Sequence, residues 1–127
     1  MGYPCPSAQA ELITQAIYNT KFRFCNEITL QRGIANVLQG LNLEFQREVK
    51  LTPKDRIDFL VGDSQKIGIE VKVSVGLAVV TRQLWRYADC PEVAELILVT
   101  TRWQHQQLPA EMKGKSISVV YLINSFL

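Results

Sequence analysis

Three side chains at close spacing hold most of the chemistry in this chain: Asp58, Glu70 and Lys72. They fall in two short stretches, 56–61 (Arg-Ile-Asp-Phe-Leu-Val) and 67–73 (Ile-Gly-Ile-Glu-Val-Lys-Val). Each alternates apolar and polar residues, as a strand does when its side chains sort onto two faces. In the second stretch Ile67, Ile69, Val71, Val73 and Val75 share one face, and Gly68, Glu70, Lys72 and Ser74 the other. Asp58 lies on the polar side of the first stretch, beside Arg56. Paired as a hairpin, the two strands would bring the aspartate, the glutamate and the lysine onto one patch. Two carboxylates make a hard-oxygen site suited to Mg²⁺. A lysine beside them can hold or polarise an attacking water, and together these are the equipment of metal-dependent phosphodiester hydrolysis. The same Ile-x-Glu-x-Lys pattern also describes a half-solvated strand with a cross-strand ion pair, so other residues must separate the two.

Glu27 is the first of these. At ~100° per residue it falls within about 40° of the centre of the stripe made by Leu30, Ile34, Val37, Leu38 and Leu41. A carboxylate on the buried side of a helix needs a partner or a metal. At a helix start it can equally be a residue favoured by the macrodipole and turned outward. Glu11 points away from its own stripe, and Glu48 stands on a strand with Gln46 and Lys50 as a further candidate acid. Gln83 and Tyr87 are four apart and stack on one helix face, where an amide and a phenol could orient a phosphate, a base or Lys72. Arg82 and Arg86, also four apart, face the other way, and with Trp85 they could grip phosphates and stack on a base. Lys21, Arg23, Arg47, Lys50, Lys54, Lys66 and Arg102 are scattered along the chain and assemble into no patch. Trp103 to Gln107 matches no metal or catalytic motif and reads as a loop.

The elements that must position these residues follow from periodicity and punctuation. Ser7 caps a first helix over 8–19, with Leu12, Ile13, Ala16 and Ile17 as its apolar stripe. Asn26 caps a second, from Glu27 to about Gln39, with Gly40 as its stop. A strand over 43–51 leads through a turn at 52–55 into the two alternating strands, which are joined through Gly62-Asp63-Ser64. A third helix spans 77–89 and ends before Pro91. The nearly unbroken apolar run 94–101 predicts a central strand in parallel pairing, covered on both faces. Residues 102–115 form a polar connector with one turn of helix near 109–112, and 117–123 a last strand. The order α-α-β-β-β-α-β-β predicts an α/β sandwich on a mixed sheet, a meander followed by a helical crossover.

A chain of 127 residues suits one domain, residues 1–127. Its net charge of +2 permits a polyanionic partner only through a local patch. The three cysteines are odd in number and lack Cys-x-x-Cys spacing, which suggests neither a disulfide framework nor a zinc knuckle and points to reduced thiols in the cytoplasm. With His105 as the only histidine, paired-histidine catalysis and HNH-type chemistry are excluded. No segment has the ~20 apolar residues of a membrane span, and residues 1–7 lack the basic and apolar regions of a signal peptide.

Taken jointly, these motifs resemble the PD-(D/E)XK nuclease superfamily, over about 95 residues from Glu27 through the last strand. The family's first acid, often preceded by proline, matches Ile57-Asp58; its acid-x-Lys matches Glu70-Val71-Lys72. The early-helix glutamate matches Glu27, and the Gln-x-x-x-Tyr of the RecB-like branch matches Gln83 to Tyr87. The resemblance implies a restriction-endonuclease-like fold and a Mg²⁺- or Mn²⁺-dependent deoxyribonuclease. Asp58, Glu70 and the Val71 carbonyl would hold the metal and Glu27 a metal or its water. Lys72 would orient the hydrolytic water, and Gln83 and Tyr87 would position the scissile strand or Lys72. Its small size is similar to that of Holliday junction resolvases, which implies a homodimer or a subunit of a larger nucleic-acid-processing complex acting on DNA. The rival expectations are a non-catalytic DNA-binding or assembly module that retains the fold, and a mixed-sheet protein with no nucleic-acid role.

Overall fold

A computed structural model describes residues 4–123, so Met1 to Tyr3 of the stretch read as leaderless lie outside the described residues. The first helix, α1 (Ala8–Tyr18), starts where the Ser7 hydroxyl accepts the Ala10 N–H at 3.1 Å. Its buried face is Ala10, Ile13 and Ile17. Leu12, expected in the stripe, is 50% exposed, because it lies about 100° round the helix from Ile13. The second helix, α2 (Glu27–Gly40), opens on a capping box in which Asn26 and Thr29 satisfy each other's backbone N–H groups. It buries Leu30, Ile34, Ala35 and Leu38. The expected stop at Gly40 is displaced: Gly40 is still helical, and Asn42 takes the left-handed conformation, φ 58°, that turns the chain away.

A meander of β1 (Phe45–Lys50), β2 (Arg56–Val61) and β3 (Lys66–Lys72) follows, and α3 (Leu77–Ala88) crosses over to β4 (Val93–Thr100). Next come a 3-10 helix (Trp103–Gln107), β5 (Glu111–Met112) and β6 (Lys115–Tyr121). The six strands lie in the order β1-β2-β3-β4-β6-β5. The first three are antiparallel, whereas β4 runs parallel to both β3 and β6. The protein is therefore α/β with a mixed sheet, and β4 is the central parallel strand its sequence foretold. Ile97 and Val99 pack with α1 and α2 on one face, Leu96 and Leu98 with α3 on the other.

Two expectations are corrected between β4 and β6. The helical turn placed near 109–112 is absent; the helical turns lie at Trp103–Gln107, expected to be a loop. Residues 111–112 instead pair with 115–116 across a two-residue turn, Lys113 and Gly114, both at positive φ (56° and 76°). That is the twist-matched hairpin turn. Val75 is the third correction: it leaves the strand and packs with the α3-side core, not with Ile67, Ile69 and Val71.

Candidate functional site

The antiparallel ladder between β2 and β3 runs from Val61↔Ile67 to Phe59↔Ile69 and stops there. Beyond it, side chains replace the backbone ladder. The Asp58 N–H donates to Glu70 Oε1 at 3.1 Å, and the Val71 N–H donates to Asp58 Oδ2 at 2.8 Å. The two carboxylates thus wedge the strands open, each holding the main chain of the other's strand. The side-chain alternation of β2 breaks at the same place: Ile57 and Leu60 both pack with α3, while Phe59 packs with α1 and α2.

Glu70 is 1% exposed and Asp58 9%. Lys72 Nζ sits 3.2 Å from Glu70 Oε2. Burial pushes the Asp58 carboxyl up to about 6, against the Val71 N–H and the Lys72 charge; the charges of Glu27 and Glu48 push it further. Burial, then the charge of Asp58, pushes Glu70 up to about 8. One lysine does not neutralise two buried acids, so the pair as a unit retains a proton at neutral pH. Asp58 Oδ1 has no hydrogen-bond partner among the described residues, and as no partnerless buried atom exists there, it opens to solvent.

The helix behind the site completes it. Gln83 Nε2 donates to the Tyr87 hydroxyl at 2.8 Å, and that oxygen lies 2.8 Å from the Arg56 carbonyl and 3.2 Å from Glu70 Oε2. The phenol has one proton for two acceptors. When Glu70 is protonated, the carboxyl can itself donate to the phenol and leave the phenol's proton for Arg56. Burial, followed by the Glu70 charge, raises the Tyr87 phenol, which stays neutral. Tyr87, held by Gln83, therefore meets Glu70 and not Lys72, the group named as one alternative to the scissile strand.

The remaining candidates separate. Glu27 is half-buried at the start of α2 and its charge reaches Asp58, yet the described residues contain no cluster of three His, Cys, Asp or Glu around one cation. It stands outside the Asp58–Glu70 pair. Glu48 is exposed and also reaches Asp58; its φ of 54° is left-handed, a strained conformation inside a strand. Glu11 is exposed, as its phase required.

On the basic face of α3, half-exposed Arg86 donates from Nε to buried Asp55 at 2.9 Å, tying α3 to the turn before β2. The Trp85 ring, half exposed, is covered by Lys113 Nζ at 5.1 Å from its centroid. Arg82 remains exposed. His105 is fully buried, which its polar surroundings in sequence did not signal. Its Nε2 reaches the Val75 carbonyl at 2.9 Å and its Nδ1 the Thr100 hydroxyl at 2.6 Å. A carbonyl only accepts, so Nε2 carries the proton; burial, which lowers the His105 pKa, favours the neutral ring, and the two bonds pin the β3–α3 connection to the end of β4.

No protein-family model, curated protein or solved structure matches the chain. Of the four carboxylate oxygens, Glu70 Oε1 and Oε2 and Asp58 Oδ2 meet protein groups, and Asp58 Oδ1 is open to solvent.

Proposed function

We propose that the protein is a metal-dependent deoxyribonuclease whose site and restriction-endonuclease-like fold are of the PD-(D/E)XK type. The observation that carries this is the ladder opened by Asp58 and Glu70 with Lys72 alongside. A half-solvated strand with an ion pair would keep its ladder and leave its acids in water.

Asp58 and Glu70 would hold Mg²⁺ or Mn²⁺, with the Val71 carbonyl as a further donor. The ion supplies a Lewis acid and a water acidic enough to attack phosphorus. Lys72 presents ammonium N–H groups beside that place, orienting the water and stabilising the negative charge that gathers on the phosphoryl oxygens. In that reaction the water's oxygen would bond to phosphorus as the ester P–O bond breaks, the water giving a proton to bulk solvent and the departing oxygen taking one from it. Tyr87 and Gln83 keep Glu70 aimed across the gap between the strands. Glu27, from α2, tunes Asp58 by its charge, and Arg82 with Trp85 offers contacts for the nucleic acid. A copy of the chain, or a larger complex, would supply the remaining grip on DNA.

The test is cleavage of single-stranded, duplex, circular and branched DNA by purified protein with Mg²⁺ or Mn²⁺. Cleavage that chelation abolishes, and that Asp58→Asn and Lys72→Ala each lower by orders of magnitude, is the expected result. Intact DNA under every condition, with DNA still bound, would make the chain a non-catalytic assembly module.

A further inference from the structure

A groove of about 1450 Å³ runs between α1, the α1–α2 connector and the end of β6. It exceeds the roughly 300–1,000 Å³ of a small-molecule pocket. The connector residues 21–24 are Lys-Phe-Arg-Phe in non-helical, non-strand backbone. Phe22 and Phe24 are half-buried and pack on the core, while Lys21 and Arg23 are exposed. The Phe22 ring fixes this phase by lying against α2 at Gly33, where a methyl group would stand 2.7 Å from its Cδ1. Two cations thus stand on the groove wall, Tyr18 is 66% exposed on it and Tyr121 closes it from β6. Among the described residues no aspartate or glutamate lines it.

The groove is next to the site, although it shares no wall with it. Lys72, Thr100 and Tyr121 are register partners across β3, β4 and β6. At ~4.8 Å per strand, the Tyr121 backbone is about 10 Å from that of Lys72. Cys25 and Thr29 line the groove, and Glu27, between them in sequence, acts on Asp58.

We propose that this groove binds the single-stranded part of a DNA substrate, phosphates on Lys21 and Arg23 and bases stacked on Tyr18 and Tyr121, and leads it past the start of α2 to the Asp58–Glu70 pair. The charge complementarity names a polyanion, and the exposed Tyr18 ring among cations, with half-buried Tyr121 on the same groove, suits unpaired bases. The proposal rests on the nuclease reading and narrows its substrate to DNA with a single-stranded tail.

Binding is measured by fluorescence anisotropy in EDTA, where nothing is cut, with a labelled oligothymidylate about a dozen nucleotides long and with a duplex of equal length. The single strand should bind more tightly. Lys21→Gln with Arg23→Gln should weaken it at least tenfold and flatten the salt slope by about 1.4, at ~0.7 per lost phosphate contact. Tyr18→Ala should weaken it about fivefold or more, the loss of one stacked base. Equal affinity for duplex, or parental affinity in these surface variants, overturns the groove. So does a change in molar mass by light scattering with single-strand affinity intact, which would make the face a self-association surface. Groove binding without any cleavage sinks only the nuclease; cleavage unaffected by the groove variants sinks only the groove.

Discussion

Asp58 and Glu70 each do two jobs, holding the facing strand's N–H group and storing negative charge out of water. The jobs separate in the amide: Asp58→Asn can still accept the Val71 N–H but no longer repels Glu70. We expect Asp58→Asn to raise the melting temperature of the metal-free protein at pH 8 and to abolish the further rise that Mg²⁺ or Mn²⁺ produces in the parent by mass action. A variant that still responds to the metal would move the site elsewhere. Lys72→Ala should keep that metal response while losing cleavage, since its charge is needed most in the transition state. Glu27 and Glu48 both press on Asp58 through space. Glu27→Gln and Glu48→Gln should therefore each ease ionisation of Asp58, followed by carboxylate titration in NMR spectra, but only Glu27→Gln, which also removes a carboxylate acceptor for the metal's water, should cut cleavage. Equal cleavage by both would make Glu27 an ordinary helix-start residue. The trio Asp58, Glu70 and Lys72 was legible because period-2 alternation fixes which side chains are neighbours. The link from Tyr87 to Glu70 was only half legible: helical spacing put Gln83 beside Tyr87, but which group they would meet depends on how α3 lies across the sheet.

The helices and strands behaved as their local chemistry required wherever that chemistry was written in adjacent residues. Ser7 and Asn26 are both caps, and the apolar run after Ala94 is the doubly covered strand. The connector after β4 misled because its signals compete: Pro109 suggests a helix start, while Lys113-Gly114 makes a hairpin turn that only pairing with β6 reveals. Gly68 shows an element reserved for packing. A methyl group there would meet Ile57 Cδ1 at 2.5 Å and Leu96 Cδ2 at 2.9 Å, both on the α3 side. Gly68→Ala should therefore lower stability by about 1–3 kcal/mol, read from denaturant unfolding, through overpacking of well-fitted neighbours. A neutral effect would show that the seam between β2 and β4 is loose. Arg86→Ala should destabilise by about 1 kcal/mol, since buried Asp55 keeps the Thr52 hydroxyl but loses a half-exposed charged partner; a change in DNA affinity without any loss of stability would make Arg86 a nucleic-acid contact instead.

For the molecule as a whole, the buried acids and His105 oppose each other in pH. Asp58 and Glu70 hold protons in the folded state to about 6 and 8, against 3.8 and 4.5 for free groups. The native state binds more protons than the unfolded chain in that window, so stability falls as pH rises from about 4 to 8. At about 1.4 kcal/mol per unit the two together are worth several kcal/mol. Burial lowers the His105 pKa from 6.5, so its contribution is full above that value and shrinks as pH falls below it. Calorimetry without metal should find the highest melting temperature at mildly acidic pH and a decline toward pH 9, flattened in Asp58→Asn. A parental profile in that variant would mean that the acids are solvated in solution. Among the described residues no helix is long and apolar enough to cross a membrane; the sheet has its own rim. Its outer strand β1 carries Arg47, Glu48 and Lys50, and at Glu48 the backbone is forced left-handed. Charge and a kink together deny a second copy the flat row of N–H and C=O groups needed to extend the sheet. Glu48 thus guards against runaway stacking: straightening the strand with Glu48→Val should leave the fold standing yet let copies add edge to edge, visible as growing light scattering on gentle heating.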